Sequence, residues 1–137
     1  MMNELIGRTI RAVYIDDDDQ HYLSFETDAG TVVYVAEGDC CSESWFYHVL
    51  GVDNLLGQTV LEVDEIEMGE PADSYSRQDE DKLYGIKLRT ARGYTDIEFR
   101  NSSNGYYGGW VEIYSATPDA RMVQITEDYT AQTFGRE

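Results

Sequence analysis

Apolar and polar positions alternate along most of the chain, and the alternation predicts strand after strand. An opening run, 5–15, carries Leu5, Ile6, Ile10, Val13 and Ile15 and predicts a first strand. In residues 22–27, Leu23 and Phe25 point one way while Tyr22, Ser24 and Glu26 point the other. Asp28-Ala29-Gly30 supplies a turn. Residues 31–36 follow, β-branched and apolar on both faces, as a covered central strand should be. The pattern then recurs. Leu55-Leu56-Gly57-Gln58-Thr59-Val60 matches Leu5-Ile6-Gly7-Arg8-Thr9-Ile10 position by position, and Thr90-Ala91-Arg92-Gly93 lines up with Thr27-Asp28-Ala29-Gly30. Residues 57–68 predict a strand with a β-bulge near Asp64-Glu65, 83–90 and 94–100 a second hairpin, and 110–114 a further strand. Two stretches rich in turn formers, 69–81 and 101–109, read as loops. Residues 122–126 read as a last strand and 130–137 as a frayed tail.

One segment departs from the alternation. In residues 38–51, Ser42 is placed to cap a helix and Glu43 falls in its first turn. Trp45, Phe46, Val49 and Leu50 recur at helical spacing, and Gly51 supplies a stop. The segment predicts a short helix lying on a sheet. The expected fold is α+β and mostly β, a single domain over 1–137. Two pseudo-repeated antiparallel three-strand units, about 5–50 and 55–114, would form a sheet or half-open barrel with one short helix. A C-terminal extension, 115–137, would follow.

Charge changes the functional picture more than the fold. The chain has 137 residues, with 27 acidic against 10 basic ones, a formal net charge of -17. Such a field repels phosphate backbones, which argues against direct binding to bare nucleic acid. It attracts basic protein surfaces in a salt-sensitive way. An apolar content of 42% is too high for a disordered chain. No apolar run reaches the ~18–20 residues of a membrane helix. No basic stretch precedes an apolar block at the N-terminus, so the expectation is a cytosolic protein.

Candidate chemistry is thin. Cys40-Cys41 lies near Asp39, Glu43 and His48, but vicinal cysteines chelate one metal poorly, and no second Cys pair exists. On the expected helix His48 would sit toward the far end, ~10 Å from the cap beside the cysteines, too far to activate one. No catalytic residue, metal ligand or cofactor is therefore assigned. The acidic runs are the first candidate site: Asp16, Asp17, Asp18 and Asp19, then Glu62, Asp64, Glu65 and Glu67, with the following acids to Glu70 and Asp79–Asp81. They would contact a basic partner. The alternative is an aromatic pocket for a flat ligand such as a nucleobase, built from Trp45, Tyr47, Asn104, Tyr106, Tyr107 and Trp110 with Arg89 for phosphate.

Three blocks, Leu55-Leu56-Gly57-Gln58-Thr59-Val60, Asp39-Cys40-Cys41-Ser42-Glu43-Ser44 and Ser103-Asn104-Gly105-Tyr106-Tyr107, together carry a resemblance. It is to a family of small acidic tailed-bacteriophage proteins with a domain of unknown function. The resemblance covers about residues 5–114. It implies phage origin and a place in the cytoplasm of a bacterial host, and it supplies no activity. Charge and resemblance together lead to the expectation of a non-enzymatic phage accessory protein. It would bind and inhibit a host protein through its acidic surface, in the manner of a nucleic-acid mimic. Two alternatives are a sponge for a nucleotide immune signal and a virion decoration protein.

Overall fold

The computed structural model describes residues 1–39, 41–69, 80–103 and 108–131, and among them the chain forms two five-stranded antiparallel sheets. Strands β1 (Ile10–Asp16), β2 (Tyr22–Thr27) and β3 (Gly30–Gly38) form one meander. Strands β5 (Glu62–Gly69), β6 (Glu80–Thr90) and β7 (Gly93–Ser103) form the other. Between them β4 (Glu43–Leu50) leaves the first meander and pairs with β7. After β7, β8 (Gly109–Ile113) crosses back and pairs with β3. Then β9 (Met122–Ile125) joins β1, and β10 (Tyr129–Thr130) joins β4. The resulting orders are β8-β3-β2-β1-β9 and β10-β4-β7-β6-β5. These are two layers, not the single sheet or half-open barrel expected, because β4 and β8 each desert their own meander for the other.

One hydrophobic core lies between the layers. Val13, Phe25 and Tyr34 of the first sheet share it with Phe46, Val49, Ile86 and Phe99 of the second. The alternation seen in the sequence is the cause: each strand turns one face inward and buries it, at roughly 1.5–3 kcal/mol for each large apolar side chain.

The expected helix is strand β4. Trp45, Phe46 and Val49 are buried as the helix reading required, but against β7 in extended form. A bulge explains the misleading spacing. Phe46 sits opposite Phe99 and Val49 opposite Ile97, with the register shifting between Phe46 and His48. Tyr47 is the extra residue, so two side chains three positions apart reach the same face. The aromatic and β-branched content of 45–49 favours a strand, and the Ser42 hydroxyl donates to Asp39 O instead of capping a helix.

Other boundaries move as well. Residues 5–9 do not extend β1. Asn3–Leu5 is a 3-10 turn, Gly7 has φ 86°, and the segment lies beside its look-alike 55–60. The hydrogen bonds between them are reciprocal. Gly7 N–H donates to Val60 O at 2.8 Å and Gly57 N–H to Ile10 O at 2.7 Å; Val60 N–H donates to Arg8 O and Ile10 N–H to Gln58 O, both at 3.0 Å. The Thr9 and Thr59 hydroxyls meet at 2.9 Å. The β5 irregularity falls between Glu67 and Gly69 rather than at Asp64-Glu65. Glu80 and Asp81 belong to β6, and residues 101–103 to β7, where loops were expected; 70–79 and 104–107 lie outside the described residues. Thr130 pairs with His48 rather than fraying, and 132–137 lie outside the described residues.

The link from β8 to β9 positions a cleft. These strands are the two edges of one sheet, so residues 114–121 must cross β3, β2 and β1. At ~4.8 Å per strand spacing and ~3.3 Å per extended residue, the crossing uses most of the segment's reach. The inner face is filled by core, so the strap runs over the outer face.

Candidate docking site

The acidic residues singled out in the sequence divide three ways. Asp16 is buried and structural. Its Oδ1 accepts the N–H groups of Asp18 at 3.0 Å and Asp19 at 3.4 Å, and its Oδ2 accepts that of His21 at 3.2 Å. This pins the β1–β2 turn. Gln20, at φ 55°, completes it by donating to Asp17 O and Asp18 O, and its own carbonyl accepts Phe46 N–H at 2.8 Å. The turn is thereby fastened to β4 of the other sheet. Asp17, Asp18 and Asp19 are exposed on its outside.

The second group lies elsewhere. Glu62, Asp64, Glu65 and Glu67 are on β5, the edge strand of the second sheet. Glu62 is ion-paired with Arg89 at 3.1 Å, and Glu65 with the α-amino group of Met1. Carboxylates on an edge strand discourage strand-to-strand association, which accounts for them without a partner. Asp81 is a third case: it is buried, with Oδ2 4.0 Å from Arg100 Nη1. Glu70 and Asp79 lie outside the described residues.

Folding gathers a different acidic set. The β1–β2 turn, the end of β3 and the start of β4 enclose a cup of roughly 300 Å³ whose lining includes Asp19, Glu37, Glu43, Ser42 and Ser44. The floor is fixed by a polar junction of the two sheets. Ser44 Oγ donates to Glu37 O at 2.6 Å, and the buried Asn101 Nδ2 donates to Ser42 Oγ and Ser44 Oγ at 3.0 Å each. Gly38 and Gly109 pair across β3 and β8 at this point. A Cβ on Gly109 would lie 2.9 Å from Asn101 Cβ and 3.0 Å from Glu37 O. Lack of side chains lets the sheets close here. Among the described residues no group of His, Cys, Asp or Glu is placed to hold a metal ion.

The described members of the aromatic set are divided between the two sheets. Trp45 and Tyr47 are on β4, Trp110 is on β8 of the other sheet with its Nε1 bonded to Glu112 at 3.2 Å, and Arg89 is held by Glu62. Asn104, Tyr106 and Tyr107 lie outside the described residues, as does Cys40. The arginine that does join the β4 aromatics is Arg100. Its guanidinium lies 3.5 Å from the Tyr47 ring centroid, and its Nε donates to Glu98 Oε2 at 2.6 Å. Arg100 and Glu98 are both buried. Glu98 also approaches His48 Nδ1 at 3.9 Å. Burial pushes the His48 pKa down, with Arg100 acting the same way and Glu98, Asp96 and Asp128 opposing. A shallow apolar hollow of roughly 260 Å³, over Leu50, Ile66 and Gly85, adjoins this cluster. Sequence reasoning overlooked it because its members come from four strands that only the sheet order makes neighbours.

Fold and site together define an acidic, two-layer β protein with a concave acidic cup where the two sheets meet. The chain belongs to the family of the Domain of unknown function (DUF7448), which it matches over residues 3–113. The match ends with β8; the strap, β9 and β10 lie beyond it. The chain is also similar to "Uncharacterized protein L278" of Acanthamoeba polyphaga mimivirus, 36% identical over 84 residues. That alignment takes in 58% of this chain and 64% of the relative, just under two thirds of its length. No solved structure matches the chain.

Proposed function

We propose that the chain is a non-enzymatic viral accessory protein that docks on the basic surface of a host protein and inhibits it, through the acidic end around Asp17–Asp19, Glu37 and Glu43. One observation carries the reading: carboxylates from three separate segments converge on one concave, rigidly braced end of a chain of net charge -17. A cup of that sign and size suits lysine and arginine side chains, and the surrounding field speeds the encounter. The surface would act as a nucleic-acid mimic against a defence or nucleic-acid-handling protein in the host cytoplasm. A viral relative supports this setting, and tailed-phage origin belongs to the same proposal. The two look-alike halves, in which β8-β3-β2-β1 matches β4-β7-β6-β5 while β9 and β10 fall at opposite edges, we read as a duplicated unit.

The nucleotide-sponge reading has less in its favour, since Arg89 and Arg100 are both engaged by carboxylates. The decoration reading would show itself as the chain in purified particles. The docking reading is tested by affinity capture from infected cells, comparing the native chain with the triple variant Asp18→Lys, Asp19→Lys and Glu37→Lys. The expected result is a discrete partner, released by salt and missing from the variant's eluate. Identical eluates, or nothing bound at low salt, would refute it.

A further inference from the structure

The strap over the first sheet encloses a cleft of roughly 810 Å³, within the range of small-molecule pockets. Strand register builds its floor. Tyr14, Ser24 and Val33 sit opposite one another on β1, β2 and β3, and Tyr114, whose N–H donates to Val33 O at 2.8 Å, continues the row. Two large rings thus flank two small side chains, with Pro118 and Met122 on the strap side. The Tyr114 ring packs 4.9 Å from Tyr22, and Glu26 lies beside Tyr14, where it raises the Tyr14 pKa.

The second sheet provides an internal control. Ser24 stands three residues before Thr27, and Val33 three after Gly30; the same offsets from Thr90 and Gly93 give Lys87 and Asp96. On that sheet the two positions are filled by an ion pair at 3.6 Å. On the first sheet they are reduced to a hydroxymethyl and an isopropyl group, under a strap. The sheet itself does not demand an empty trough at this place.

Charge selects the ligand. The ionisable side chains on the cleft are Glu26 beside Tyr14, and Glu4 and Arg8 at the hairpin end. Glu4 accepts the Tyr34 hydroxyl at 2.9 Å, and Arg8 Nη1 donates to Thr27 Oγ1 at 3.5 Å. With the molecule at -17, an anion is repelled. We propose that the cleft binds a small organic cation, a flat aromatic ring joined by a short arm to a protonated amine. The ring rests on Val33 against Tyr114. The ammonium reaches Glu26 and the Tyr14 ring, one to two strand spacings (~5–10 Å) away.

The test is a titration of the isotope-labelled full chain with tryptamine, followed by amide chemical shifts. Indole-3-acetate (the same ring with the opposite charge) and n-butylamine (the charge without the ring) are the comparison probes. Tryptamine is expected to give saturable shifts at Ser24, Val33 and Tyr114. Glu26→Gln and Tyr114→Ala should each weaken it about tenfold, and both comparison probes should bind at least about tenfold more weakly. Ser24→Phe, which fills the floor, should abolish the shifts; if that variant fails to fold, the other two carry the test. The proposal is overturned by absence of saturable shifts at millimolar tryptamine, by equal binding of either comparison probe, or by unchanged affinity in Glu26→Gln. None of these outcomes bears on the acidic end, which shares no residue with this cleft.

Discussion

Single residues carry much of the cost of holding the two sheets in place. Asp16 accepts three backbone N–H groups with a buried carboxylate. Asp16→Ala is expected to lower stability by roughly 2–3 kcal/mol, read as a shift in urea midpoint, because charge-assisted bonds are lost and the donors remain. Arg100 stands between two carboxylates in a buried site. Arg100→Met should cost roughly 3–5 kcal/mol in the same assay, since Glu98 and Asp81 would keep buried negative charge. His48 gives a pH dependence. Its pKa is lowered by burial, so the unfolded chain takes up the proton first. The stability owed to neutral His48 is whole above the unfolded value of ~6.5 and is lost as pH falls from there toward the folded value. His48→Gln should therefore flatten the fall in urea midpoint between about pH 7.5 and 5.5; an unchanged slope would refute the assignment.

Among the elements, β4 shows what the sequence could and could not say. Its burial was legible: Trp45, Phe46 and Val49 are inside. Its conformation was not, because one bulged residue, Tyr47, converts a period of two into a spacing of three. The hairpins of both meanders were legible from Thr27–Gly30 and Thr90–Gly93, where a Thr hydroxyl bonds within the turn and a Gly sits at positive φ. The exchange of β4 and β8 was not, because strand order depends on long-range pairing that no local pattern encodes. For the same reason the sequence marked Asp16–Asp19 as one exposed acidic run, of which Asp16 is in fact buried, and did not show that Glu37 and Glu43 lie beside Asp19. Gly109→Ala tests the junction that brings them together. The added Cβ meets Asn101 Cβ and Glu37 O. A loss of about 1–3 kcal/mol is expected, with β3–β8 amides exchanging faster than those of β6.

For the whole molecule, net charge is both a burden and the basis of the proposed activity. A charge of -17 on a chain of 137 residues repels itself, so added salt should raise the melting temperature while weakening any basic partner's hold. The two effects have opposite signs and separate stability from binding. What matters for function is whether attraction is spread over the surface or focused where the turn, β3 and β4 meet. That is decided by following backbone amides as a short lysine peptide is added at low salt. The account predicts the largest shifts at residues 17–21, 37–39 and 42–44, fading as salt rises. Shifts centred on β5, or uniform over both sheets, would contradict it.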